Sequence, residues 1–258
     1  MKNIIYILVV FISALSFGQN KTLFEKANAL YNDAKYAEAI DAYQAILETG
    51  KHSADLYFNL GNANYKLNNI APSIYFYEKA LLLAPNDADI KNNLAFAQNM
   101  TIDAIDVVPD SGVSKIIKSI ANKFTFDAWA KIAVILVFVF VILFLAYYFA
   151  FSTNRKRLAF IGSLVSLGLT VITLALAFYK YNLEQKDYPA IIFTQESKIK
   201  TGPNPNSEEA FRLHEGTKVQ IVETFENWKK IKLTDGKIGW ISSNDIKPLK
   251  DFKTHVTE

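Results

Sequence analysis

The sequence predicts a multidomain membrane protein: an all-α helical-repeat part, two transmembrane helices and a small all-β barrel. Three observations predict it. A self-similarity at a shift of 34 residues runs through 19–101, two long apolar runs flank a cluster of cations at 152–157, and short alternating segments with turn signals fill 188–249. The net charge of +3 is too small to point to a nucleic-acid partner. The 258 residues include no cysteine, so there is no disulfide framework, thiol nucleophile or lipid-attachment site. The three histidines, His52, His214 and His255, share no ligand spacing, and no metal or cofactor is expected.

Residues 1–18 have the pattern of a secretory signal peptide. Lys2 gives a weakly positive start, 4–15 are apolar, and Ser16-Phe17-Gly18 puts small residues at −3 and −1 for cleavage before Gln19. An uncleaved anchor would also leave Lys2 inside, so the following domain is exported either way. In a Gram-negative cell that side is the periplasm.

Within 19–101 the 34-residue shift returns Ala27 as Gly61, Tyr31 as Tyr65, Tyr36 as Ile70, Ala39 as Ser73, Tyr43 as Tyr77 and Ile46 as Ala80. Gly61 and Ser73 are small where two helices cross closely. Tyr77 fills the gap between neighbouring repeats, and Pro85 ends a helix because it lacks an N–H. A further shift carries Leu60-Gly61 onto Leu94-Ala95, so 89–100 is a third first-helix capping the stack. This period and order of small and aromatic positions resemble the tetratricopeptide repeat. Asn64 and Ser73 depart from it, standing where an aromatic and an alanine are usual.

Such arrays imply a concave groove lined by the first helix of each repeat. The pattern places Phe24, Asn28 and Tyr31, then Phe58, Asn62 and Tyr65, then Asn92 and Phe96 on it. Aromatic and amide side chains there suit an extended peptide or a partner helix, although any one of the aromatics could instead pack against the next helix. A variant of the family clamps a C-terminal carboxylate with two asparagines and several cations. Asn28 and Asn59 match its asparagines, but Phe24, Asp89 and Asn93 stand where its cations belong, which excludes that ligand mode.

Residues 102–112 read as an extended linker around Pro109. Val113, Ile116, Ile117 and Ile120 then recur at helical spacing, with Lys115, Lys118 and Lys123 elsewhere. The linker and this amphipathic helix occupy 102–128. The helix is expected either on the membrane face or packed on the repeats.

Residues 129–151 and 158–178 are the two spans, each about 20 residues and so able to cross a core of roughly 30 Å. Apolar runs this long rarely form a buried hairpin of a soluble protein. The second has only Ser163, Ser166, Thr170 and Thr173 as polar side chains, which a helix can satisfy with its own carbonyls. Arg155, Lys156 and Arg157 lie in the short connection 152–157, and the positive-inside rule assigns that connection to the cytoplasm. Both flanking domains then face the opposite side.

A polar spacer over 179–187 precedes the barrel at 188–249, whose candidate strands are 190–193, 198–200, 210–213, 219–222, 228–233 and 238–241. Asp235-Gly236 makes a tight hairpin, and Glu215-Gly216 marks another turn. The Gly202-Pro203 turn, the run from Leu213 to Thr217, Trp228 before a lysine-rich strand and Gly239-Trp240-Ile241 resemble the bacterial SH3-like (SH3b) domain. Trp228 and Trp240 are its candidate aromatic surface, or else plugs for a core with few large residues.

Phosphate loops, nucleophile elbows and zinc-protease motifs are absent from the sequence, and its carboxylate pairs, Glu208-Glu209 and Asp103/Asp106, sit in polar stretches. The expectation is a protein that is not an enzyme. The whole order of segments resembles the BatE-like family of aerotolerance (Bat) operon proteins. That resemblance implies partners with von Willebrand A domains, another exported Bat protein and, indirectly, a cytoplasmic MoxR-type AAA+ ATPase. Two exported interaction modules without a catalytic motif point to a membrane scaffold, and the resemblance implies that it works in an aerotolerance or envelope-stress complex. A second expectation is cell-wall binding, with peptidoglycan held by the SH3-like domain.

Overall fold

A computed structural model describes residues 22–105 and 112–250. The expected signal peptide at 1–18, the first residues of the expected repeat domain at 19–21, and linker residues 106–111 lie outside the described residues. The chain forms two compact units: one joins the segment up to Val107 to the segment from Tyr188 onward, and the other is Val108–Asp187. Its fold class is tetratricopeptide-type helical repeats, two transmembrane helices and a small SH3-like β domain.

The repeats are α1 (residues 22–32), α2 (Tyr36–Glu48), α3 (Ala54–Lys66), α4 (Ile70–Leu83) and α5 (Ala88–Gln98). Ser53 caps α3 by accepting from the Leu56 N–H, and Asp87 caps α5 by accepting from Asp89 and Ile90. The 34-residue period extends to the backbone. Ala34 and Asn68 both adopt positive φ, 59° and 60°, where the first helix of each repeat ends.

The two departures from the repeat pattern have partners. Ser73 Oγ, fully buried, donates to the carbonyl of Gly61 at 3.0 Å. Asn64 Nδ2 donates to the Leu60 carbonyl at 2.8 Å, and its Oδ1 accepts from Asn69. An alanine and an aromatic would leave out both bonds. Gly61 is small for a stated reason: a Cβ there would lie 2.6 Å from the Tyr77 ring.

The β domain comprises β1 (Pro189–Ile192), β2 (Glu196–Lys200), β3 (Glu209–His214), β4 (Lys218–Phe225), β5 (Trp228–Lys232), β6 (Ile238–Ser242) and β7 (Ile246–Pro248). They form one antiparallel sheet in the order β3-β2-β6-β5-β4-β1-β7. Ile192, Ile199, Val219, Ile221, Ile231 and Ile241 fill its core. Gly236, at φ 93°, makes the β5–β6 turn. Strand β4 runs to Phe225, beyond the alternation at 219–222, because a bulge between Ile221 and Glu223 shifts the register. Strand β7 has no alternation of its own and pairs with β1.

The repeats and the β domain are joined through a common core. Ile191 of β1 and Leu249 pack with Tyr57, Ala71, Ile74 and Tyr77 of the repeats. Tyr75 meets Phe193 edge-on, with centroids 5.6 Å apart. Asp103 accepts three hydrogen bonds from the β domain: His214 N–H at 2.6 Å, Thr217 Oγ1 at 2.6 Å and His214 Nδ1 at 2.8 Å. Lys218 Nζ reaches Glu78 at 2.7 Å, where the carboxylate is only 9% exposed. The start of the expected extended linker is therefore held down at Asp103 and at Ile105, which packs against the β core.

Gly216 is the closest point of this joint. Its φ is +83°, and a Cβ would sit 2.8 Å from Thr101 Cγ2 and 3.0 Å from Ile70 and Ile74. Gly216→Ala should therefore cost about 2–4 kcal/mol, combining left-handed strain with overpacking. Thermal unfolding of the detergent-solubilised chain checks this through a lowered Tm.

The second unit holds α6 (Gly112–Ala121), α7 (Phe126–Phe149) and α8 (Thr153–Gln185). α7 and α8 are long and apolar enough to cross a membrane. They pack through small residues: Ser163, Ser166, Thr173 and Ala177 are buried, and Gly162 faces Leu143. Ser163, Thr170 and Thr173 bond carbonyls of their own helix, but Ser166 Oγ crosses to Leu136 O at 2.7 Å.

Two expectations are corrected here. Arg155, Lys156 and Arg157 lie within the first five residues of α8, not in a loop, because Ala150 to Ser152 suffice to reverse the chain. These cations oppose the helix dipole but are exposed to water. The spacer over 179–187 is helical to Gln185, because nothing in it breaks a helix and Lys180 pairs with Glu184 at 3.6 Å.

Candidate functional site

The 34-residue repeat builds a row of amides on the face of α1, α3 and α5. In the first repeat Asn28 Oδ1 accepts from Tyr43 Oη at 2.6 Å and from Asn59 Nδ2 at 3.0 Å. In the second, Asn62 Oδ1 accepts from Tyr77 Oη at 2.6 Å and from Asn93 Nδ2 at 2.8 Å. The two arrangements are the same, shifted by one repeat. Each tyrosine comes from the second helix of a repeat and passes between first helices to reach its asparagine. Burial pushes the Tyr43 hydroxyl up to about 12 and that of Tyr77 higher, so both remain donors at physiological pH.

The consequence is a fixed orientation of each amide pair. Asn62 spends its oxygen on two donors and keeps Nδ2 without a partner among the described residues. Asn93 spends its nitrogen and keeps Oδ1. Asn28 and Asn59 repeat this one turn of the stack earlier. Each pair thus offers one donor and one acceptor, the complement of a peptide group. First helices pack roughly 8–10 Å apart, a span of about three extended residues.

A cavity of about 230 Å³ opens beside the second pair, lined by Tyr31, Asn62, Tyr65, Lys66, Tyr77, Asn93 and Phe96. It contains one cation and no carboxylate. A single lysine falls short of the several cations of a carboxylate clamp.

Of the expected groove residues, Tyr31, Asn62, Tyr65 and Phe96 line this cavity, and Phe96 is 59% exposed. Phe24 and Phe58 serve mainly the packing: their rings lie 5.9 Å from Tyr43 and Tyr77 respectively. Asn28 belongs to the amide row. Asn92 is exposed and outside the cavity, which Asn93 lines instead. Asn59 and Asn93 enter the sequence reading only as positions of the excluded carboxylate clamp, and Tyr43 and Tyr77 only as packing residues. The same 34-residue shift relates Asn59 to Asn93 and would have found them.

Residues 197–247 match the family profile of the bacterial SH3 domain, and residues 54–87 that of the tetratricopeptide repeat. These two module types are typically non-catalytic interaction modules. No curated protein matches the chain.

The aromatic surface expected on the SH3-like domain is altered. Trp240 is only 8% exposed and lies beneath Lys230, whose Nζ is 5.5 Å from the ring centroid. Trp228 is half-buried and pairs with Phe225, which is exposed at the tip of the β4–β5 hairpin. The outward-facing aromatics are therefore Phe225 and Trp228, not two tryptophans.

Proposed function

We propose that this protein is a non-enzymatic membrane scaffold that grips an extended segment of a partner protein along its repeat groove. The observation that carries this reading is the repeated amide pair, Asn28/Asn59 and Asn62/Asn93, with its unspent donors and acceptors. Two such pairs in one register suit a peptide backbone better than a globular surface. The SH3-like domain is part of the same body, so partner contacts on both would be rigidly spaced rather than tethered.

The signal-like pattern at residues 1–18 and the cations Arg155, Lys156 and Arg157 at the start of α8 support a reading in which the repeat and SH3-like domains face the periplasm of a Gram-negative cell from its inner membrane. The segment order supports membership of the BatE-like family. The partners would then be von Willebrand A-domain membrane proteins and other Bat proteins, coupled indirectly to a MoxR-type AAA+ ATPase in an aerotolerance or envelope-stress complex.

A photocrosslinker at Phe96 or Tyr65 should capture a co-expressed von Willebrand A-domain partner, whereas one at Glu48, also exposed, should not. Phe96→Ala should lower recovery of that partner about tenfold or more, as expected of a partly exposed aromatic anchor. Unchanged recovery would remove the groove from the account.

Phe225 and Trp228 on the hairpin tip favour the second reading, peptidoglycan binding by the SH3-like domain. Its test is co-sedimentation of the solubilised full chain with sacculi. The full chain is needed because Ile191 and Leu249 are buried against the repeats.

A further inference from the structure

We infer that α6 is an interfacial anchor that lies along the bilayer surface and reads anionic phospholipid headgroups. Val113, Ile116, Ile117 and Ile120 form one stripe at i, i+3, i+4 and i+7, and all four are exposed, as is Phe124 just beyond the helix. Lys115 and Lys118 lie on the opposite side of the helix by the same geometry, followed by Lys123. From Gly112 to Phe126 the sequence contains no acid. An apolar stripe backed by cations is the composition of a helix that beds its hydrophobic side at the headgroup–acyl boundary.

The helix is also pinned at the height such an anchor requires. Ala121 is fully buried, and its carbonyl accepts from the indole N–H of Trp129 at 3.1 Å. Asn122 Oδ1 accepts from Lys180 Nζ at 2.9 Å. Phe124 meets Trp129 edge-on at 5.1 Å, and Phe126 meets Tyr181 at 5.6 Å. Thr125 caps α7, its Oγ1 accepting from Ala128 N–H. These contacts fix the end of α6 at the level of Lys180 and Tyr181. That is just past Phe178, where the uncharged run of α8 gives way to polar residues. Tryptophan and tyrosine concentrate at this depth of a bilayer. The exposed apolar stripe of α6 thus begins at the level where the apolar surface of the hairpin ends. The lysines add an attraction to negative headgroups of about fivefold each in affinity near the surface.

The absence of native cysteine makes a direct test simple. Full-length Ile117→Cys and Lys115→Cys variants, spin-labelled, are reconstituted into nanodiscs of phosphatidylcholine with or without phosphatidylglycerol. The label at 117 should be reached by oxygen dissolved in the acyl region and shielded from an aqueous nickel chelate. The label at 115 should show the reverse. Adding phosphatidylglycerol should raise the immersed fraction at 117. The combination Lys115→Gln, Lys118→Gln and Lys123→Gln should lower the immersed-to-free ratio by about tenfold or more in the anionic discs only. Equal wetting of both labels, or shielding of both from both quenchers as protein cover would give, overturns the proposal. Immersion that ignores lipid charge and the glutamine changes overturns the anionic recognition.

Discussion

Replacing Tyr77 by alanine should cost about 3–5 kcal/mol, the largest effect of any single change considered for the repeats. Its ring is 1% exposed and fills the crossing left open by Gly61, with Phe58 5.9 Å away. Alanine would leave a ring-sized cavity between α3 and α4 and leave Asn62 Oδ1 with Asn93 as its one remaining donor. Tyr77→Phe separates the two roles. It keeps the packing and removes only the donor to Asn62, so it should cost about 1 kcal/mol. Partner capture should fall in this variant more than stability does, because Asn62 would lose one of the two bonds that orient its amide. Chemical unfolding of the solubilised chain gives the stability term, and crosslinking from Phe96 gives the binding term.

Asp103→Ala should cost about 2–4 kcal/mol by leaving three donors of the β domain without their acceptor. The backbone N–H and Nδ1 of His214 and the Thr217 hydroxyl all converge on this carboxylate. Desolvation pushes its pKa up, but the hydrogen bonds from Thr217 and His214 outweigh this and hold the carboxyl below the ordinary range. A depressed folded-state value means the stabilisation is present above the unfolded pKa, about 3.9, and is lost as pH falls through the lower folded value. The joint should therefore be intact at neutral pH and weaken below about pH 4. Asp103→Asn should flatten that pH dependence while keeping the side chain's shape. Limited proteolysis near residues 101–105, followed against pH, measures it directly.

Most of the fold class is legible in local pattern. The 34-residue period places Gly61, Ser73 and Tyr77 at close helix crossings, and they occupy those crossings. Asp235-Gly236 predicts a hairpin, and Gly236 takes the positive φ it needs. The two apolar runs predict helices and give them. The polar tail of α8 is not legible as helix, because its continuation depends on the absence of a breaker, which a hydropathy boundary does not record. The joint between repeats and barrel was not legible at all. Asp103 and His214 are 111 residues apart, and neither Ile191 nor Leu249 carries a mark that its neighbours come from the helices. Periodicity reports which face of an element is buried, not what covers it. In the groove, sequence pattern finds the aromatics but not their division of labour. Phe58 and Phe96 look equivalent in type, yet one packs on Tyr77 and the other faces solvent.

The proposed scaffold requires a chain threaded out, in and out again, with the repeats and the barrel on the outer side of the inner membrane. With no native cysteine, Glu48→Cys in the repeats, Ser152→Cys in the turn and Glu226→Cys in the barrel each report one location without disturbing the cations at 155–157. In intact spheroplasts a membrane-impermeant maleimide should label positions 48 and 226 at once and position 152 only after permeabilisation. Immediate labelling at 152, with 48 and 226 protected until the membrane is opened, would contradict it.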